Sequence, residues 1–553
     1  MLEISNLRLP LDAGLADGEG IVRRHIAKAL GIAPRYVGDM RLLKRSVDAR
    51  KKNDVHFVAT YAFDVVGGKE QNIVRGSCRP PARVKIHEPY AGYSVARLGG
   101  RPAIRPIVVG TGPAGLFAAW TLAKAGACPL VVERGERVDD RLGSVARFNE
   151  GGPLDPDSNI QFGEGGAGTF SDGKLTTNIK NPRCKDVLHI FAEAGAPEEI
   201  LWQAKPHIGT DLLVDVVRSM REEIVAMGGV VLFGTRFESM CFREGSLDSV
   251  VLADVKTGKT ECVPARHMVL ACGHSARDTF EAVRDAGLLM ERKPFSVGVR
   301  IEHPQTLINR SQYGKAASHP ALSAADYKLA VHLENGRGVY TFCMCPGGEV
   351  VCAASEEGGV CVNGMSRFAR EGANANAAVL VGVDESDLPG DDVLAGIEFQ
   401  RRIERAAYEA AGSTYAAPAQ YVGDFLAHRA SEELLEKGVM PTYARGVAWC
   451  DLREVLPEFV ACSIEEALPL LDRRLRGFAS DTAVMTGVET RSSSPVRIVR
   501  SKETMQAMLG DEADAGVYPC GEGAGYAGGI MSAAVDGLRV AEALLDVLGR
   551  EAE

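Results

Sequence analysis

IRPIVVGTGPAGLFAAWTLAKAG, residues 104–126, decides how this chain is read. The run Ile104–Val109, apolar apart from Arg105, predicts a strand, GTGPAG a tight turn at Gly110–Gly115, and LFAAWTLAKAG a buried helix. Strand, glycine turn and helix at this spacing suit a dinucleotide. Gly110 makes the turn, Gly112 lets backbone approach a pyrophosphate, and Gly115 lets the helix pack against the strand. Pro113 and Ala114 open the helix, whose amides and positive dipole end serve the phosphates. The next apolar run, PLVVE, ends at Glu133 and is followed by Arg134; a carboxylate about 20 residues past the glycines accepts from ribose hydroxyls. An acid there disfavours a 2′-phosphate, so NADP is not expected in this crevice.

Later segments favour FAD over NAD. QFGEGGAGTFSDGKL, residues 161–175, is dense in glycine, so that backbone around Gly166 comes close to a flat ring, with Lys174 near its end. A helix over 212–227 leads into GGVVLFGTRFESM, a predicted strand beside the first that carries Arg236 and Phe237 toward the adenine. SVVLADVKTGKTECVPARHMVLACG reads as a hairpin and then a strand that ends at Gly273. From Val517, VYPCGEGAGYAGGIMSAAVDGLRVAEALL predicts a short strand, a glycine turn and a second amphipathic helix. Glu522, after Gly521, is placed to accept from ribitol or ribose hydroxyls. Gly528, Gly529 and Ile530 open the helix, where the dipole end stabilises negative charge on a reduced flavin. An NAD site needs no such second half.

At 553 residues, 46% hydrophobic and 25% charged, the chain is long enough for two or three globular domains. Its formal net charge of -10 argues against bulk electrostatic binding of nucleic acid and favours small-molecule partners. The N-terminus does not read as a secretory signal, and no segment has the apolar length of a membrane span, so a cytoplasmic location is expected. Thirteen cysteines without a CxxC pair fit reduced thiols. Cys343 and Cys345 form a single CxC, too few ligands for a metal, and no metal is expected.

Residues 1–100 read as a small α+β domain, with strands LEISNLRLPL and VHFVATYAFDVV around a helix at GIVRRHIAKALGI. The basic stretch LLKRSVDARKKND between them reads as a solvated hairpin or loop able to touch phosphates. A Gly, Pro and Arg-rich linker ends near residue 100. The predicted fold class is α/β. A Rossmann-like FAD-binding domain is built from the discontinuous segments 101–290 and 481–553, with an α+β substrate or cap domain inserted over 291–480.

The chain resembles the two-dinucleotide-binding-domain flavoproteins, and within them a bacterial family of uncharacterised FAD-dependent dehydrogenases. The resemblance rests on GTGPAG, EGGAGTFSDGKL, PFSVGVRIEHPQ, FCMCPGGEVVCAASEEGGVCVNGMS, RSSSPVRI and GEGAGYAGGIMSAAVDG, and extends to KRSVDARKK in the leading domain. It implies FAD contacts at Gly110, Gly112, Gly115, Glu133, Gly273, Gly521 and Glu522. The Gly-Glu at 521–522 departs from the commoner Gly-Asp of flavoproteins.

A flavin carries the redox chemistry, which leaves the catalytic side chains weakly marked. The candidates are Lys174, to polarise the ring or bind an anion, His274, and Cys345 with Cys343. Arg491, Arg497 and Arg500 either gather an anion or pair with acids. With one convincing GxGxxG, NAD(P)H is expected at most as a transient donor. The leading expectation is a dehydrogenase or reductase acting on a small organic substrate. The alternatives are a flavin monooxygenase and a non-redox, flavin-bound protein that binds RNA or a partner through the basic stretch. The sequence does not set the oligomeric state.

Overall fold

The computed structural model describes residues 1–67, 70–76, 78–510 and 515–552. At its centre is a five-stranded parallel sheet in the order Val517–Pro519, Met268–Leu270, Ile107–Val109, Leu130–Val132, Val230–Leu232. The inner strands are short apolar runs buried on both faces, as expected where helices cover a parallel sheet. Val230 and Leu232, on the edge strand, remain more than a third exposed. The strand that sequence places beside Ile107–Val109 instead pairs with Leu130–Val132, and Thr235–Arg243 leaves it for a separate three-stranded sheet.

The helix Pro113–Lys124 begins with proline, whose missing amide costs nothing there, and is buried from Ala114 to Ala123. It packs on the C-terminal helix Ile530–Ala552 at glycine contacts: a Cβ on Gly537 would lie 2.3 Å from the Ala114 carbonyl oxygen. Chain segments distant in sequence therefore close one nucleotide-binding layer.

The inserted domain is a seven-stranded sheet whose central strand, Phe295–Pro304, pairs along its whole length with Asn374–Val383. Its other neighbour is Val484–Glu489. The expected boundary at residue 480 is therefore too early, because the last strand of the insert follows it and is fully buried against that sheet. Helices Ala395–Ala410 and Glu458–Arg474 bury apolar faces against it.

The leading domain is a four-stranded sheet with the helix Glu19–Leu30 packed on it. Of the two readings of this stretch the hairpin holds: LLKRSVD belongs to the edge strand Val37–Asp48, which turns back antiparallel onto His56–Val65. That edge docks onto the flavin-binding layer, where the Arg45 amide donates to the Trp202 carbonyl at 2.7 Å and the Ala204 amide to the Arg45 carbonyl at 3.0 Å. The linker is tied down as well, with the Tyr90 hydroxyl on Asp186 at 2.8 Å and that of Tyr93 on Glu542 at 3.0 Å.

Candidate active site

A single cavity of about 1290 Å³ runs from the carboxyl ends of the parallel strands to the leading domain. One ligand ordinarily occupies roughly 300–1,000 Å³, so this space has room for a cofactor and a second molecule. Its inner part is a glycine crevice. Gly110 has φ +93, and a Cβ there would sit 2.4 Å from the Ala271 carbonyl oxygen. Across the crevice a Cβ on Gly166 would come 3.0 Å from the Gly112 Cα, while a Cβ on Gly273 or Gly528 would project into open space. These are places where only bare backbone leaves room for a flat or phosphorylated ligand.

Most sequence-predicted contacts meet on this wall: Gly110, Gly112, Pro113, Ala114, Glu133 and Arg134 at the first turn, then Gly166, Lys174, Phe237, Gly273 and His274. Cys345 lines it, as do Glu522, Gly528, Gly529 and Ile530. Gly115 and Gly521 lie beneath the surface. A Cβ on Gly115 would collide with the Gly110 carbonyl oxygen at 1.9 Å, and the Gly521 amide donates to Asp536 at 2.9 Å.

Glu133 is engaged by protein donors. One oxygen accepts from the Thr111 amide at 2.9 Å and the Thr111 hydroxyl at 2.6 Å, the other from the Gly135 and Gly163 amides at 3.0 Å. A carboxylate has about four acceptor positions, so Glu133 clamps the three loops that shape the crevice. Glu522 is the reverse case. It lines the cavity, takes no hydrogen bond from the described residues, and burial lifts its carboxyl to about 8 despite Lys293 nearby. An orphaned carboxyl beside bare glycines fits a polyhydroxylated ligand such as the ribityl chain of FAD.

The His274 imidazole is pushed down to about 3 by burial and by the Arg491 and Arg277 cations, so it is neutral across the physiological range. Its Nδ1 lies 2.9 Å from the Ser275 hydroxyl. Lys174 donates to the Met344 carbonyl oxygen. The Cys343–Cys345 segment is a bulge in its strand rather than a regular pair: the ladder shifts register after Phe342, and Cys343 has φ +39. Both thiols line the cavity, Cys345 buried and Cys343 open to it, and desolvation within the cavity raises both, that of Cys343 to about 12. All thirteen cysteines are free.

Sequence reasoning missed the charged frame behind this wall. Arg300 is fully buried, paired with Glu489, and donates to Asn376 at 2.7 Å, Asn363 at 2.9 Å and the Cys343 carbonyl oxygen at 3.0 Å. Glu404 joins Arg277 and Arg491 at 2.8 Å each, with all three almost wholly buried where the insert meets the flavin-binding layer. Arg491 and Arg500 therefore serve buried carboxylates, Arg500 through Asp536 at 2.7 Å. The only signal was a glutamate inside an apolar helical stripe, AGIEFQRRIERAA.

Fold and site define a flavoprotein with a Rossmann-like nucleotide-binding layer. Residues 294–492 match the model of an FAD-dependent protein, C-terminal domain-like, and residues 108–152 that of an NAD(P)-binding Rossmann-like domain. Residues 1–64 match a domain of unknown function. An uncharacterized protein of Clostridium beijerinckii is 45% identical over 553 residues, covering 99% of this chain and 98% of its own. The chain belongs to that protein's family, a bacterial FAD-dependent one, and its cofactor is FAD. Among solved structures, glycerol-3-phosphate dehydrogenase from Bacillus halodurans with FAD matches at 14% identity and TM-score 0.34, over 81% of this chain and 64% of its own. A geranylgeranyl bacteriochlorophyll reductase-like protein from Thermoplasma acidophilum matches at 13% identity and TM-score 0.35, over 82% and 83%. No helix among the described residues is long and apolar enough to cross a membrane.

Proposed function

We propose that this protein is an FAD-dependent dehydrogenase or reductase that moves hydride or electrons between a small organic substrate and the flavin. The observation that carries this reading is the continuity of one cavity from the glycine crevice to a chamber walled by the insert and the leading domain. FAD supplies the electron transfer; the chain's own groups bind, orient and exclude water.

Glu133 holds the loops around the crevice, and Glu522 meets a hydroxyl of the cofactor. Lys174, anchored on Met344, presents a fixed positive charge at the junction of crevice and chamber. His274, kept neutral by burial and by the nearby Arg491 and Arg277, offers a hydrogen bond without bringing charge into the site. The raised thiols of Cys343 and Cys345 make poor nucleophiles at neutral pH, which speaks against thiol-disulfide chemistry.

Anaerobic titration of the purified protein with NADH, NADPH and candidate organic substrates, followed by flavin absorbance, tests the proposal. Bleaching without oxygen is expected. A flavin that only dithionite reduces, or one whose turnover depends on substrate-stimulated oxygen uptake, contradicts it.

A further inference from the structure

The outer chamber carries a charge pattern that neither the crevice nor the cofactor explains. The chain as a whole is acidic, at -10, yet the wall of this chamber is rich in cations. Asp172 and Asp326, its acids, are taken up by Arg370 and by Lys205 at 2.7 Å. Arg45, Lys52, Lys174 and Lys328 also line it, and none of them forms a salt bridge with a described residue. Lys52 and Lys174 are instead held by backbone carbonyl oxygens, those of Gln312 and Met344. Such anchoring fixes the position of a charge without neutralising it.

Arg45 is the most constrained of the four. Its guanidinium lies 4.9 Å from the Phe57 ring and 4.6 Å from the Trp202 ring, at the seam where the leading domain docks. Burial lowers its affinity for a proton. A partly desolvated cation beside aromatic faces interacts with an anion brought to it more strongly than a fully solvated one, because less solvent screens the pair. Nearby, Tyr327 lines the same chamber, is 6% exposed, and its hydroxyl has no hydrogen-bond partner among the described residues. Phe57, Trp202 and Phe342 supply an apolar counterpart. The FAD pyrophosphate has its own place at the Gly112 helix start, so these cations remain for another molecule.

We infer that the outer chamber is a binding site for a small organic anion, carrying a carboxylate or a phosphate ester on an apolar body, and that the leading domain completes the site through Arg45 and Lys52. The inference rests on the flavin reading for the identity of this anion as the redox substrate. The anion site itself stands on the chamber alone. It also gives the leading domain a role: it is the outer wall of the active site.

Isothermal titration of the FAD-loaded protein with benzoate, phenyl phosphate and the neutral benzamide tests it. Binding of benzoate or phenyl phosphate is expected, at least about tenfold tighter than benzamide and weakened by added salt. Which anion binds separates a carboxylate from a phosphate ester. The Arg45→Gln/Lys52→Gln variant should lose about tenfold in affinity, and Lys328→Gln, at an exposed position, should lose a smaller factor; Lys85→Gln, on the far strand of the same domain, should lose none. FAD content is measured on every sample. Equal binding of benzamide, no binding of either anion, or unchanged affinity in both chamber variants overturns the inference. A chain that takes up no FAD defeats the flavin reading, and the same titration on that chain still decides the anion site.

Discussion

The crevice and the outer chamber are two ends of one cavity built on opposite principles. The crevice is shaped by what is missing, side chains at Gly110, Gly112, Gly166 and Gly273, and its polar groups belong to backbone and to a few carboxylates. The chamber is shaped by long cationic and aromatic side chains from parts of the chain that meet only after folding. A common cofactor needs a conformational motif that one stretch of sequence can write. Substrate selection needs a collection of charges that only tertiary structure can assemble.

The largest expected effect comes from filling the crevice. Gly166→Leu puts a side chain at φ +60 and against the Gly112 Cα, and FAD retention should fall to background, measured by cofactor release from the purified variant. Anion binding in the chamber should survive that change, which would separate the two ends experimentally.

Next comes the frame that holds the ends in register. Glu404→Gln leaves the part-exposed Glu356 as the one remaining carboxylate paired with Arg277 and near Arg491 among the described residues, and should cost about 3 kcal/mol in chemical denaturation. Loss of a few tenths only would mean that Glu356 and solvent suffice for both guanidinium groups.

A smaller, pH-dependent effect is expected at Glu522. Its carboxyl is raised from 4.5 to about 8 by burial. A carboxyl raised on folding costs nothing at pH values below its unfolded pKa; the cost grows as pH rises through that interval and is complete above about 8. The melting temperature of cofactor-free Glu522→Gln should therefore gain on the parent between pH 5 and pH 8 and stay level beyond, as checked by thermal denaturation across roughly that range. A constant difference would contradict it.

The smallest effect is predicted at the bulge. Cys343, raised to about 12, should react with iodoacetamide slowly at neutral pH and faster as pH rises, despite its free surface in the cavity. Rapid alkylation at pH 7 would show a thiolate and reopen a role for the thiol.

The crevice was legible in the sequence because its signal is local. GTGPAG, Glu133 and GEGAGYAGG each carry their meaning within one turn of chain, and the structure brings nearly all of them to one wall. The chamber was not legible for the same reason inverted. KRSVDARKK reads as a solvated basic stretch until the docking of Arg45 between Phe57 and Trp202 turns it inward. The end of the insert was misplaced because AVMTGVE is apolar enough to be a strand of either sheet, and only its pairing with Phe295–Pro304 assigns it. Glu404, on an otherwise amphipathic helix, gave no hint of the two arginines it meets.

The central claim is that this glycine crevice holds FAD, and the absorbance spectrum of the purified protein, followed by release and identification of its cofactor, tests it most directly. A flavin spectrum and released FAD, close to one per chain after reconstitution, are the predicted result. A colourless protein that cannot be reconstituted with FAD would contradict the account.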